Sequence, residues 1–186
     1  FTDDVLAHAC DFSHKHHHQV MMMLCLMPYC DFQDNHQIAL PVWQKQKKCW
    51  LKKKFSLRHI CLDKFIFTDP KRALLLSPVD EIDEFGDKLP FYLIFMGTHP
   101  LPTSPGWHVG VCADANPFLN FGELILKVFK KEIYEVVDLI LTVKDSPLIC
   151  TGHSLGAALA LLLFHEKHHQ NLDVVALNPP RFMHRP

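Results

Sequence analysis

The chain has 186 residues, a hydrophobic fraction of 48% and a formal net charge of −1. These values are typical of one ordinary globular domain, and the near-neutral charge argues against nucleic-acid binding as a main role. The longest apolar stretches, Val20 to Met27 and Ala157 to Phe164, are too short to span a bilayer as helices.

The first 60 residues are predicted to form a helical and basic N-terminal region, followed by a core over residues 61–186. An apolar, methionine-rich segment extends from His16 to Met27 and is stopped by Pro28. The histidine-rich run His14 to His18 is interpreted as a solvated polar segment, and no metal site is predicted. Seven cysteines without a repeated spacing indicate reduced thiols, which favours a reducing compartment such as the cytoplasm.

A basic segment with interleaved tryptophans ends this region and is a candidate membrane contact. Anionic membrane surfaces attract basic side chains at about 1 kcal/mol each, and tryptophans at the interface add anchoring. The alternative is a solvated helix face whose long apolar stems lie over the core. The residues proposed to contact a membrane are Lys45, Lys47, Lys48, Trp50, Lys52, Lys53 and Lys54.

In the rest of the chain, apolar strand patterns alternate with helical ones. Phe91 to Met96 is a continuous apolar run, as expected for a strand buried on both faces. Apolar residues at helical spacing predict an amphipathic helix over Gly122 to Val143. This alternation predicts an α/β fold with a mostly parallel sheet flanked by helices. The other predicted strands are Phe65 to Thr68, Ala73 to Leu76, Leu148 to Cys150 and Leu172 to Leu177.

A strand, a sharp turn and a helix are predicted around Gly152-His153-Ser154-Leu155-Gly156. Such a turn holds the serine in a strained backbone conformation and lifts its hydroxyl out of the sheet edge. The two glycines remove Cβ atoms that would clash where the strand and the helix cross. Ser154 is therefore the candidate nucleophile.

The candidate oxyanion hole draws on two separate segments. A nucleophilic serine needs donors aimed at the oxyanion of the tetrahedral intermediate, and the residue after the nucleophile, Leu155, supplies one backbone N–H. The second donor has to come from a loop after an earlier strand, where Phe95-Met96-Gly97-Thr98 lies. Thr98 is the candidate because it offers both an N–H and a hydroxyl.

Together these motifs resemble those of the class-three lipases of the α/β-hydrolase fold. Thr151 to Ala160 differs from the family's nucleophile motif only at Ala157, which replaces a glycine, and Met96 replaces an arginine of the oxyanion segment. The resemblance extends over roughly residues 62 to 186 and implies a partial α/β-hydrolase fold. It also implies a serine hydrolase of carboxylic esters, a lipase or phospholipase, that acts on a lipid or other acyl ester without a metal or organic cofactor.

The other two members of a catalytic triad are not found in this sequence. In α/β-hydrolases the order along the chain is serine, acid, histidine, and a further βα unit takes about 30 residues, more than the stretch between Leu177 and Pro186 holds. We therefore expect a downstream remainder of the same protein to supply the acid and the base. The alternative is a catalytically silent domain that binds lipid or a protein partner. If a histidine of this chain is the base, His184 and then His99 are the first choices, since both are expected on loops.

Overall fold

The central element of the structure is a six-stranded sheet. The structure is a computed structural model, and it describes residues 17–30, 32–44, 47–61, 71–97 and 132–179. The strands lie side by side in the order in which they follow along the chain. They are β1 (Gln37–Gln44), β2 (Cys49–Cys61), β3 (Lys71–Pro78), β4 (Phe91–Phe95), β5 (Leu148–His153) and β6 (Leu172–Leu177).

Helices cover the two faces of this sheet. Helix α1 (His17–Leu26) leads into a short 3-10 turn, Met27–Tyr29. Helix α2 consists of residues 132–138 and ends in a π-helical turn, Leu139–Val143. Helix α3 (Leu155–Lys167) connects β5 to β6. No helix in the described ranges is long and apolar enough to cross a membrane.

The sheet is mixed, so the α/β class is confirmed but the prediction of a mostly parallel sheet is wrong. The pairs β1–β2, β2–β3 and β3–β4 are antiparallel, whereas β4–β5 and β5–β6 are parallel. Parallel neighbours need a crossover of a dozen or more residues, usually a helix. Each connection between β1 and β4 is either too short to hold such a crossover or runs as an irregular loop. These strands therefore return antiparallel.

The basic segment is a strand and not a helix. Lys52 and Lys54 are exposed, while Phe55 and Leu57 are buried, which is the period of two that a half-covered strand requires. The helical prediction for the N-terminal region is therefore wrong over β1 and β2, although α1 is helical. The predicted boundary between residues 60 and 61 falls inside β2, which pairs with both of its neighbours.

Two apolar layers sandwich the sheet and explain why β4 is buried along its whole length. Leu93 and Phe95 face the layer formed with α2 and α3, while Tyr92 and Ile94 face the layer formed with α1. A strand covered on both faces reads as an unbroken apolar run. The full burial of Tyr92 raises the pKa of its phenol above its usual range.

Several predicted elements agree with the observed ones. The strand Leu172–Leu177 has the predicted bounds, and Ala73 to Leu76 lies within β3. The helix predicted over Gly122 to Val143 is observed from residue 132 onward, and its earlier residues lie outside the described ranges. The strand predicted over Phe65 to Thr68 also lies outside them.

Candidate active site

Ser154 occupies a strained turn between β5 and α3. Its backbone has φ 54° and ψ −121°, a combination that L-residues rarely adopt. Such a conformation costs about 1–3 kcal/mol and persists only where its surroundings enforce it. Here the Ser154 N–H donates to the Leu177 carbonyl at 3.0 Å, and the Ser154 carbonyl accepts from the Ala158 N–H at 3.2 Å. The strain expected from the sequence is present, and Ser154 as a whole residue is half-buried.

Two glycines allow the backbone to cross itself at this turn. A Cβ atom on Gly152 would lie less than 3.0 Å from the backbone of Gly156 and Ala157. A Cβ atom on Gly156 would be equally close to the backbone of Phe95, at the end of β4. Real Cβ atoms do not approach backbone atoms this closely, so glycine is required at both positions for the turn to pack as it does.

The same packing brings the end of β4 against the serine turn. A Cβ atom on Gly97 would lie less than 3.0 Å from the carbonyl oxygen of His153. The residue before it, Met96, is only 5% exposed. Gly97 directly precedes Thr98, which lies outside the described residues. The predicted proximity of the candidate oxyanion segment to the serine turn is therefore observed as far as Gly97.

Residues 97–185 match the family model of the class 3 lipases. The resemblance read from the motifs is thus confirmed over this segment, which is slightly less than half of the chain. A lipase-like hydrolase is the general class that the match supports. No curated protein matches the chain.

The N-terminus of α3 carries Leu155, the other residue predicted to donate to an oxyanion. The first N–H groups of a helix have no acceptor within the helix, and Leu155 is the first residue of α3. Its side chain is 1% exposed and packs in the core with Phe95 and Leu159, which fixes the direction of its N–H. The arrangement suits stabilisation of a negatively charged oxygen beside Ser154.

In the described part of the chain, no histidine or carboxylate hydrogen-bonds to the Ser154 hydroxyl. The same hydroxyl has no hydrogen-bond partner of any other kind among the described residues. His165, His168 and His169 lie at the far end of α3, roughly 20 Å from its start. Asp173 lies near the beginning of β6, whereas Ser154 lies where the parallel strands end. Glu166 accepts a hydrogen bond from Tyr134. His99 and His184 lie outside the described residues.

One cysteine lies within β5, the strand that leads into Ser154, and another packs against this strand. Burial raises the pKa of the Cys150 thiol above its usual range. Burial also raises the pKa of Cys25 on α1, and a hydrogen bond with Thr151 offsets part of this rise. The Cys25 Sγ and Thr151 Oγ1 atoms are 3.4 Å apart, and Thr151 Oγ1 donates to the Val175 carbonyl at 2.7 Å. Both thiols are therefore packing groups, and the pair with Thr151 fixes α1 to β5.

Tyr29 is a neighbour of the site that sequence reasoning missed. It ends the 3-10 turn after α1, and a Cβ atom on Gly97 would lie 2.9 Å from its hydroxyl oxygen. No motif or spacing links Tyr29 to the serine turn, because their proximity depends on how α1 packs across the sheet. The proximity of Tyr29 to the site can therefore be recognised only from the tertiary structure.

The basic residues predicted to contact a membrane lie at the other end of the sheet. Strand β2 runs in the same direction as β4, and the serine turn lies close to the end of β4. The basic start of β2 therefore lies at the opposite end of the strands, roughly 20 Å away or more. Lys53 forms an ion pair with Glu84, and the Lys47 ammonium lies 5.4 Å from the centre of the Phe85 ring. The remaining predicted residues are Lys48, Lys52 and Lys54, which are exposed, Trp50, which is half-buried, and Lys45, which lies outside the described residues.

A cavity of about 850 Å³ lies at this same distant edge. Its walls include Trp43 and Trp50, whose rings meet edge to face at 5.4 Å, and the first half of α1. Residues at the starts of β4, β5 and β6 complete it. It is therefore separate from the serine turn, which lies where the parallel strands end, and we do not assign the acyl chemistry to it.

Proposed function

We propose that this chain carries the nucleophile and oxyanion elements of a serine hydrolase of carboxylic esters. The observation that carries the proposal is the strained backbone of Ser154, with φ 54°, in a turn closed by two glycines whose Cβ atoms would clash. A strained strand-to-helix turn is the geometry that exposes a nucleophilic serine in α/β-hydrolases. The match of the surrounding segment to the class 3 lipases supports the same reaction class.

In the proposed reaction, Ser154 Oγ attacks the acyl carbonyl and passes its proton to a histidine base. The carbonyl oxygen takes the negative charge, and the N–H groups of Leu155 and Thr98 stabilise it. One such donor is typically worth about 10²–10³ in kcat. The bond to the alcohol then breaks, and the histidine returns its proton to the alcohol. Water attacks the acyl-serine by the reverse route, which releases the acid and restores the hydroxyl.

We propose that the histidine and its acid come from residues outside those described. A serine hydroxyl without a base is a poor nucleophile at neutral pH, and none of the described side chains hydrogen-bonds to Ser154. The same observation favours the second candidate function, a catalytically silent lipase-like domain that binds lipid or a protein partner. The two functions differ in whether any product of the reading frame hydrolyses esters.

The test compares the 186-residue chain with any longer product of its reading frame on a short-chain chromogenic ester. We expect weak release of chromophore from the chain alone and a rate at least roughly 10³-fold higher where the base and acid are present. Robust turnover by the chain alone would show that one of its own histidines is the base, and His184→Ala and His99→Ala would identify it. No turnover by any product would favour the silent domain.

The proposed substrate is an acyl ester of a lipid. The family match points to lipids as a class, and the choice among triacylglycerol, phospholipid and monoacylglycerol is a matter for assay. Parallel measurement of fatty-acid release from an emulsion, from phospholipid vesicles and from monoacylglycerol micelles would rank the three. Higher activity on a soluble ester than on all three would argue against a lipase or phospholipase.

We further propose that the exposed lysines of β2 attract anionic membranes. Lys52 and Lys54 have no ion-pair partner among the described residues. At about 1 kcal/mol per basic side chain, Lys52→Gln with Lys54→Gln should weaken vesicle binding roughly 30-fold. Lys53→Gln is the matched control, because the charge of Lys53 is already paired with Glu84.

Co-sedimentation with vesicles of phosphatidylserine and phosphatidylcholine measures this effect. Binding should fall steeply with added salt, since exposed charges are screened within about 10 Å at 0.1 M. Binding that ignores both salt and the phosphatidylserine content would rule out the electrostatic account. Because these lysines lie at the edge opposite Ser154, such contact would hold the protein at the surface without by itself presenting the serine to lipid.

A further inference from the structure

The cavity of about 850 Å³ lies on the face of the sheet that α1 covers. Its lining includes Val42, Tyr92, Ile149 and Val175, which belong to the apolar layer formed with α1 or pack against it. Val20 of α1 is also part of its wall. Cavities of about 300–1,000 Å³ with mostly apolar walls are typical of sites for small organic ligands. The size and the lining therefore fit an organic molecule with an apolar body.

The cavity extends across the strands. Its wall takes residues from β1, β2, β4, β5 and β6, and from the loop between β3 and β4. Neighbouring strands of a sheet lie about 4.8 Å apart, so a space that reaches from β1 to β6 is roughly 20 Å long. Such a shape fits an extended alkyl chain better than a compact ring system.

Two carboxylates are held together on the wall near the end of β1. The Gln44 Nε2 atom donates to Asp83 Oδ2 at 3.0 Å and to Asp87 Oδ2 at 2.6 Å. Gln44 is only 3% exposed, so the amide that orients the two carboxylates is itself fixed. Because this amide is neutral, it directs both groups without reducing their negative charge.

The wall near the start of β6 is also acidic. Asp173 lies there, and Asp145 accepts a hydrogen bond from Asn171 at 2.8 Å. The one basic side chain among the described lining residues is Lys88, whose ammonium lies 3.3 Å from Asp145 Oδ2. Four aspartates and one lysine therefore line the cavity, which gives its wall an excess of three negative charges.

We infer that this cavity binds an organic ammonium ion with an extended apolar chain. The ammonium group has three N–H donors and a positive charge, which complement carboxylates that can only accept hydrogen bonds. The chain would lie along the apolar residues of the sheet and of α1. A carboxylate with the same chain would be repelled by the wall. The inference does not depend on the proposed ester hydrolysis, because the cavity and Ser154 lie at opposite ends of the parallel strands.

The test compares decylammonium with decanol and decanoate, which share a ten-carbon chain and differ in charge. We expect decylammonium, below its critical micelle concentration, to bind the 186-residue chain at least roughly 10-fold more tightly than either in isothermal titration calorimetry. It should also raise the midpoint of thermal unfolding, since a ligand of the native state stabilises that state. Equal affinities for the three compounds, tighter binding of decanoate, or a lowered midpoint would overturn the inference.

Asp87→Asn and Asp173→Asn remove one charge from each end of the cavity and keep the shape of the side chain. At least one of them should weaken decylammonium binding about fivefold, and the double variant should weaken it roughly 10-fold, while decanol binding stays unchanged. Asp80→Asn is the matched control, because Asp80 is an exposed carboxylate of the same loop that does not line the cavity. Parent-like affinity in the double variant, or an equal loss in Asp80→Asn, would contradict the inference.

Two further variants locate the ligand. Val175→Phe places a larger side chain on the cavity wall and should weaken the binding of decylammonium and of decanol alike. Ser154→Ala should bind decylammonium as the parent protein does, whether or not the parent hydrolyses esters. Loss of binding in Ser154→Ala with parent-like binding in Val175→Phe would place the ligand at the serine turn and overturn the inference, without bearing on the proposed reaction.

Discussion

Ser154→Ala is expected to lower kcat for a carboxylic ester by roughly 10³-fold or more in the form of the protein that turns over. The nucleophile, base and acid of a triad act as a unit, so removal of the hydroxyl leaves only the contributions of the oxyanion hole and of binding. The fold should be retained, because the hydroxyl has no hydrogen-bond partner among the described residues. The measurement is the initial rate of chromophore release across a range of ester concentrations.

Ser77→Ala is the matched control for this substitution. Ser77 is a half-buried serine of β3 that pairs with Ser56, near the edge of the sheet away from the serine turn. We expect its kcat and KM to equal those of the parent protein. Equal turnover with and without the Ser154 hydroxyl would show that another group attacks the ester, and the proposed assignment would be abandoned.

Gly156→Ala is expected to destabilise the protein by about 3 kcal/mol and to abolish ester turnover. The new Cβ atom would lie within 3.0 Å of backbone atoms of Phe95, which cannot rotate away as a side chain can. Strand β4 and helix α3 would have to separate, which opens the core and moves Gly97 relative to Ser154. For a chain of this size the loss corresponds to roughly 6–12 °C in the midpoint of thermal unfolding.

Gly86→Ala is the matched control, since it makes the same chemical change where no atom lies within 4 Å. Gly86 has φ 88°, so alanine costs backbone strain of about 1–2 kcal/mol there without touching the site. Turnover should therefore survive in Gly86→Ala and be lost in Gly156→Ala. If Gly156→Ala had the stability and the kcat of the parent protein, the close crossing of β4 and α3 would not be needed for function.

The elements around Ser154 could be predicted because their signals are local. An apolar run, a glycine, a serine, a second glycine and an apolar helix pattern follow each other within Leu148–Lys167, and each one restricts the backbone by itself. The strand Leu172–Leu177 follows after a short loop, so its bounds could also be predicted from the nearby sequence. Agreement between local preference and tertiary packing makes such a segment readable from sequence.

The strand β2 could not be predicted in the same way. Its lysines have high helix propensity, and the apolar positions that alternate with them begin only at Phe55. What makes the segment a strand is pairing with β1 and β3, and this pairing also makes the sheet mixed. The proximity of Tyr29 to Gly97 has the same origin, because it exists only once α1 lies across β5. Tertiary packing overrides local preference in both cases.

The most direct test of Ser154 as the nucleophile is the site of its covalent modification. An alkyl fluorophosphonate reacts with an activated serine hydroxyl, which forms an oxygen–phosphorus bond and expels fluoride. In the form of the protein that turns over esters, mass spectrometry of the inhibited protein should find one adduct, on the peptide that contains Ser154. Unfolding with guanidinium before treatment should prevent it, since activation depends on the folded turn. Complete inhibition with the adduct on any other residue would contradict the assignment of Ser154.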